Sequence, residues 1–151
     1  MRPLIAGCGT EGRGDDAAGL LVARRLRALG VPAVEHGGEG LSLLESWSGA
    51  ERVILVDAVR TGAQPGVITI WDARAARVAR EAFPVSTHAF GVAEAIELGR
   101  TLGRLPPSLI VYGIEASRFE PGAEPQPAVL EAVERVARQI AQEVDSCTNP
   151  A

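Results

Sequence analysis

Chemistry in this chain could rest on Asp15, Asp16, Asp57 and His88. Asp15 and Asp16 close the glycine-rich stretch Gly7-Cys8-Gly9-Thr10-Glu11-Gly12-Arg13-Gly14, Asp57 follows the apolar run Val53-Ile54-Leu55-Val56, and His88 follows Ser86-Thr87. Each has a plain structural reading: the first two acids as helix caps, Asp57 as a turn bridge, His88 as a local hydrogen-bonder. A charge placed directly after four buried apolar residues more often serves a site. Asp16, Asp57 and His88 together would offer two carboxylates and one imidazole, an open ligand set for a divalent metal with positions left for substrate or water. His88, at an expected helix start, would be kept neutral by the positive end of the helix dipole, as a metal ligand must be. Asp15 suits the N-cap of the helix after the glycine loop and could orient a ligand from behind. His36, with glycines after it, is read as structural, and Cys8 is given no chemical role.

The glycine loop permits a second reading. Gly7, Gly9 and Gly12 fit the Gly-x-Gly-x-x-Gly pattern after a strand, and Glu35 at the end of the next strand could hold a ribose hydroxyl, as in dinucleotide binding. Against it, the loop delivers Asp15 and Asp16 to the helix start where a pyrophosphate would sit, and two carboxylates there repel it. No Ser-His-Asp nucleophile motif or His-Glu-x-x-His helix is present.

The elements that must position these residues alternate between strand and helix. Strands are expected at Pro3 to Ala6, Ala33 to His36, Arg52 to Asp57, Val67 to Trp71 and Leu109 to Ile114. Helices are expected at Asp15 to Leu29, Leu41 to Trp47, His88 to Leu102 and from Pro127 onward. Stripes at Ala18, Val22, Leu26 and Leu29, at Val92, Ile96 and Gly99, and at Val129, Val133, Val136 and Ile140 mark the buried helix faces. The linker before Val67 is too short for a helical crossover, which makes that strand antiparallel and places it at an edge. The expected architecture is an α/β three-layer sandwich: a mostly parallel central sheet of about five strands with one antiparallel edge strand and helices on both faces. Residues 1–145 read as a single domain, and 146–151 as a frayed tail.

Composition bounds the function. The chain has 151 residues, 46% of them hydrophobic and 23% charged, and a formal net charge of −4, which argues against a nucleic-acid partner held by a basic surface. All its basic residues are arginine. Two cysteines, Cys8 and Cys147, make no disulfide framework. No apolar run is long enough to span a bilayer and no signal peptide is evident, so a cytoplasmic monomer without a membrane partner is expected.

With these stretches in place, the sequence resembles the hydrogenase maturation endopeptidases, which remove a C-terminal extension from the large-subunit precursor of nickel-iron hydrogenases. The resemblance is carried by Gly7-Cys8-Gly9-Thr10 with Gly14-Asp15-Asp16, by Val53 to Asp57-Ala58, by Ser86-Thr87-His88, by Tyr112-Gly113-Ile114-Glu115 and by the Pro127-Ala128-Val129 helix start, and it covers about Pro3 to Val144. It implies an aspartic-type endopeptidase in which Asp16, Asp57 and His88 bind metal and form the catalytic site. It implies too that nickel arrives in the hydrogenase large-subunit precursor, the protein substrate, and that no metal is tightly bound to the free protein. Thr10 stands where the family usually has asparagine, Ala17 where glycine is common, and Glu115-Ala116 where Gln-Pro or Glu-Pro is usual. A non-catalytic protein that recognises the nickel-loaded precursor, and the dinucleotide reading, are the alternatives.

Overall fold

The computed structural model describes residues 2–83 and 90–148, with side chains through residue 145. In chain order it comprises β1 (Leu4–Cys8), a 3-10 turn (Gly14–Ala17), α1 (Ala18–Ala28), β2 (Val34–His36), α2 (Gly40–Ser46), β3 (Arg52–Val59), β4 (Ile68–Asp72), a second 3-10 turn (Arg80–Ala82), α3 (Val92–Thr101), β5 (Ser108–Glu115) and α4 (Pro127–Thr148). The strands form one sheet in the order β2-β1-β3-β5-β4. β1, β2, β3 and β5 are parallel, and β4 runs antiparallel to β5 at the edge, with Ile70 opposite Tyr112. This is the expected three-layer architecture. The residues linking β3 to β4 cannot carry a crossover helix, so β4 turns back along the sheet.

Val53, Ile54, Leu55 and Val56 are all buried because β3 lies in the sheet interior with helices on both sides. Alternation along the strand divides them. Ile54 and Val56 join Ile5, Tyr112 and Ile114 under α1 and α4, where Val22, Leu26, Val129, Val136 and Ile140 complete one core. Val53, Leu55 and Val59 join Ala6, Cys8, Leu109 and Val111 under α2 and α3, with Leu43, Trp47, Val92 and Ile96. Each such side chain taken fully out of water contributes about 1.5–3 kcal/mol. The stripes expected on α1, α3 and α4 are the buried ones, except that Leu29 is only partly covered. α4 continues to Thr148, past the expected end of the ordered chain near residue 145.

α1 crosses β1 with backbone packed close against backbone. A Cβ on Gly7 would lie 1.9 Å from the Gly19 carbonyl oxygen, and one on Gly19 would lie 2.1 Å from the Cys8 oxygen and 2.5 Å from that of Val56. Both positions therefore require glycine, and the contact pulls the turn before α1 onto the carboxyl ends of β1 and β3. Gly7→Ala is expected to cost about 3 kcal/mol or more, because backbone on both sides must shift. Gly37→Ala, where nothing lies within 4 Å, is expected to stay within about 0.5 kcal/mol of the parent. Urea denaturation of the two variants checks this, and equal midpoints would remove close packing as the reason for Gly7.

Candidate active site

Asp15 does not cap α1. It sits inside the 3-10 turn, wholly buried, and its carboxylate reaches across to the loop that follows β5. Oδ2 accepts from the backbone N–H of Ser117 and of Arg118, both at 3.0 Å, and from Gln126 Nε2 at 2.6 Å; Oδ1 accepts from Gln126 N at 2.8 Å. The backbone reinforces the contact: Asp15 N donates to Arg118 O at 2.8 Å and Gly14 N to Ala123 O at 3.0 Å. Burial alone would raise the Asp15 pKa, but the hydrogen bonds from Gln126, Ser117 and Arg118 outweigh it and hold the carboxyl below its ordinary value. Asp15 is thus ionised and structural, and it locks two loops together beside Asp16.

Asp16 is nearly buried, at 5% exposure. Burial lifts its pKa, while a hydrogen bond from the Thr10 side chain and the Arg13 charge offset part of the rise. Asp57 is half-buried and does not end its strand: β3 continues through Ala58 and Val59, which pair with Ile114 and Glu115. Its alternation places it on the α2/α3 side of the sheet, one step beyond the Gly7–Val56 pairing, next to Cys8. Asp57 Oδ1 accepts from Ala58 N at 2.9 Å. Burial pushes its pKa well up, and the Asp16 charge pushes it further. Two carboxylates that each resist ionisation, and that repel one another, face the same edge of the sheet. A bound cation would relieve both penalties.

His88 lies outside the described residues. α3 begins at Val92 with Gly91 as its extended N-cap, held by Glu94 Oε1 accepting from Gly91 N at 2.8 Å. The helix thus starts four residues later than expected, and the dipole argument for a neutral imidazole in its first turn falls with it. Among the described residues no group of three His, Cys, Asp or Glu side chains is close enough to hold a metal ion.

Cys8 is a buried free thiol, its pKa raised by burial and then by Asp57, so it stays protonated. The His36 ring is engaged locally: Nδ1 accepts from Gly38 N at 2.9 Å and Nε2 lies 3.2 Å from Ser42 Oγ. The dinucleotide reading loses both its supports. A Cβ on Gly9 would lie 2.2 Å from the Asp16 carbonyl oxygen, so that glycine answers to the chain itself. Glu35 is engaged by Arg24 and Arg27 at 2.8 Å and 2.5 Å.

Glu115 escaped the sequence reading as a positioning group. It is 2% exposed and accepts from Thr61 N at 2.8 Å, Thr61 Oγ1 at 2.6 Å and Gly62 N at 3.3 Å, fixing the turn that leaves β3. The signal that singled out Asp57, an acid ending an apolar strand, was present at Glu115 as well. Gln126, the partner of Asp15, carried no local signal.

Fold and site describe an α/β domain with paired acids at the carboxyl edge of its sheet, where open α/β folds bind their ligands. A family model, HycI: hydrogenase maturation protease, matches residues 21–143, and the chain belongs to that family. The match takes in Asp57 and His88 and begins after Asp16. The hydrogenase expression/formation protein HoxM of Cupriavidus necator is 28% identical over 110 residues, which are 73% of this chain and 54% of HoxM; the chain spans about half the length of that curated relative. The [NiFe] hydrogenase maturation protease HybD from Thermococcus kodakarensis superposes with a TM-score of 0.72 at 26% identity, covering 95% of this chain and 99% of HybD. HycI from Thermococcus kodakarensis KOD1, also a [NiFe] hydrogenase maturation protease, gives 0.73 at 27% identity, covering 95% and 92%.

The two neighbouring acids are expected to answer the same substitution with opposite signs. Asp15 has a depressed pKa, so its contribution is present above the ordinary carboxylate range and is lost as pH falls through its folded value. Asp57 has a raised pKa, so its ionised form costs stability above that value, and the cost fades as pH falls through it. At pH 7 Asp15→Asn should destabilise by about 2–3 kcal/mol, since an amide offers no second acceptor for the four donors. Asp57→Asn should stabilise by about 1 kcal/mol, a gain that shrinks in acid. Urea denaturation at neutral and acid pH checks both; a destabilised Asp57→Asn at pH 7 would contradict the electrostatic account.

Proposed function

We propose that this protein is a maturation endopeptidase that removes the C-terminal extension of a nickel-iron hydrogenase large-subunit precursor after recognising the nickel bound in it. The observation that carries the reading is the strained pair Asp16 and Asp57, an anionic site that gains from a cation, within a chain of this family. Asp16, Asp57 and His88 would hold the precursor's nickel and set the scissile bond beside it, and the free protein would keep no metal of its own. Support for His88 comes from the residues that flank it. Ala82 accepts from Arg60 N at 2.8 Å, just past Asp57, and Phe90 accepts from Gly40 N at 2.8 Å at the start of α2. Phe83 and Phe90 both pack in the core on the Asp57 side of the sheet.

Metal polarisation of the scissile carbonyl or of a water supplies the rate. The protein's part is to hold two ionised carboxylates at a pH where burial and mutual repulsion favour their protonation. Asp15 fixes the turn that carries Asp16, and Thr10 orients the Asp16 carboxylate. Cys8, protonated and buried, takes no part. No helix among the described residues is long and apolar enough to cross a membrane, and the reaction is assigned to the cytoplasm, with the protein acting as a monomer.

Incubation with a nickel-loaded precursor from its own source should release a short C-terminal peptide, visible by mass spectrometry, while the nickel-free precursor should release little. Asp16→Asn should slow processing by orders of magnitude, and Cys8→Ala should not. Equal cleavage of both precursors would overturn recognition through the metal. Binding of the loaded precursor without cleavage would make the protein a non-catalytic recognition factor.

A further inference from the structure

The loops after β1, β3 and β5 each bring an arginine to the site's edge. Arg13 lies in the glycine loop, Arg60 three residues beyond Asp57, and Arg118 in the loop held by Asp15. They gather around Phe119. Arg13 Nε donates to the Phe119 carbonyl at 3.4 Å, and the Arg60 guanidinium lies 5.6 Å from the centre of the Phe119 ring. Arg118 runs along the glycine loop, its Cγ 3.3 Å from where a Gly14 Cβ would be. Arg60 and Arg118 are exposed and Arg13 is partly so.

None of the three makes an ion pair among the described residues, nor do Arg2, Arg52, Arg74, Arg104 and Arg135, but these three are the ones gathered around Phe119; Arg24, Arg25, Arg27, Arg80 and Arg138 are paired. Residues 84–89 and 149–151 contain no Asp or Glu. Glu120 and Glu124, on the Phe119 loop, are exposed and pair with none of them. In a chain of net charge −4, Arg60 and Arg118 present positive charge at one edge with no carboxylate partner among the described residues, and Arg13 has only the nearby charge of Asp16. A carboxylate would pair with them, and a guanidinium stacked on an aromatic ring keeps its N–H edge free for it.

We propose that Arg13, Arg60 and Arg118, arranged around Phe119, bind an acidic stretch of the precursor polypeptide while its metal-bearing segment sits at Asp16 and Asp57. The proposal rests on the endopeptidase reading for the identity of the partner. Peptide is favoured over nucleic acid by charge pattern. A phosphate backbone would carry its uniform charge onto Asp16 and Asp57, whereas a polypeptide can place acids on the rim and a cation on the carboxylates.

The probe is a fluorescein-labelled peptide, Gly-Glu-Ala-Glu-Gly-Glu amide, titrated with the full chain and followed by anisotropy. Its glutamine counterpart and a labelled oligothymidylate run beside it. The acidic peptide should bind, and the affinity should fall at least about tenfold in Arg60→Gln/Arg118→Gln and on raising salt from about 0.05 to about 0.3 M. The glutamine peptide should not bind. Equal binding of the two peptides, tighter binding of the oligothymidylate, or an unchanged double variant would overturn the proposal. With the nickel-loaded precursor, the folded double variant should raise KM more than it lowers kcat, and the reverse would count against it. If the parent protein cleaves no precursor, the endopeptidase reading fails, while the peptide titration still decides the rim.

Discussion

The structure depends on one buried carboxylate. Asp15 takes four hydrogen bonds from Ser117, Arg118 and Gln126 in a place where it is fully removed from water. A lone ionised carboxylate there would be very costly. Charge-assisted bonds to three backbone N–H groups and one amide turn that cost into a constraint. The long loop from β5 to α4 has few apolar residues of its own, and Asp15 ties it down at both ends, near residue 117 and at residue 126. The glycine loop, in turn, can lie against it only because Gly14 takes φ +58° with the Arg118 carbonyl where a Cβ would be. Asp16, Arg13, Arg118 and Phe119 all inherit their places from this contact.

The neighbouring acids show the opposite use of burial. Asp15 is satisfied, and so it is depressed and rigid. Among the described residues Asp57 receives one hydrogen bond, from Ala58, and the repulsion of Asp16. One buried acid thus fixes the loops, while the other is left short of partners. A group left under-satisfied in a fold that could have satisfied it with an asparagine is better explained by a ligand than by stability. The same reasoning extends outward to the arginines around Phe119, which make no ion pair among the described residues while ion pairs elsewhere on the surface are made.

The sheet was legible because its signals are local. Four apolar residues in a row mark a strand buried on both faces, and a short linker dictates an antiparallel edge. Of the expected site residues, Asp16 and Asp57 come to one edge of the sheet, where the charge of Asp16 acts on Asp57, and His88 lies outside the described residues. The role of Asp15 was not legible, because its partners are about a hundred residues away and are mostly backbone N–H groups, which sequence does not display. The boundary of α3 was misjudged because Ser86 and Thr87 are good caps in isolation, whereas Gly91 with Glu94 provides the actual start. Membership of the family followed from the order and spacing of several short motifs, each weak alone.

The glycine loop shows why such patterns need a structural test. Gly7, Gly9 and Gly12 satisfy a dinucleotide fingerprint, in which missing side chains let a pyrophosphate approach the backbone. Here the space is given to the chain's own carbonyls: that of Gly19 at Gly7, and that of Asp16 at Gly9. Gly12 has open space around it and is required only for its φ of +81°. The pattern thus arises from helix–strand contact and loop reversal, two needs unrelated to phosphate. The distinguishing residue lies just beyond the pattern. A dinucleotide site needs free N–H groups at the helix start, whereas this chain places Asp15 and Asp16 there and enters α1 through a 3-10 turn. The first acid is consumed by the fold and the second is left facing the edge of the sheet, so the same geometry that disfavours an anion leaves carboxylates whose ionised forms a cation would relieve.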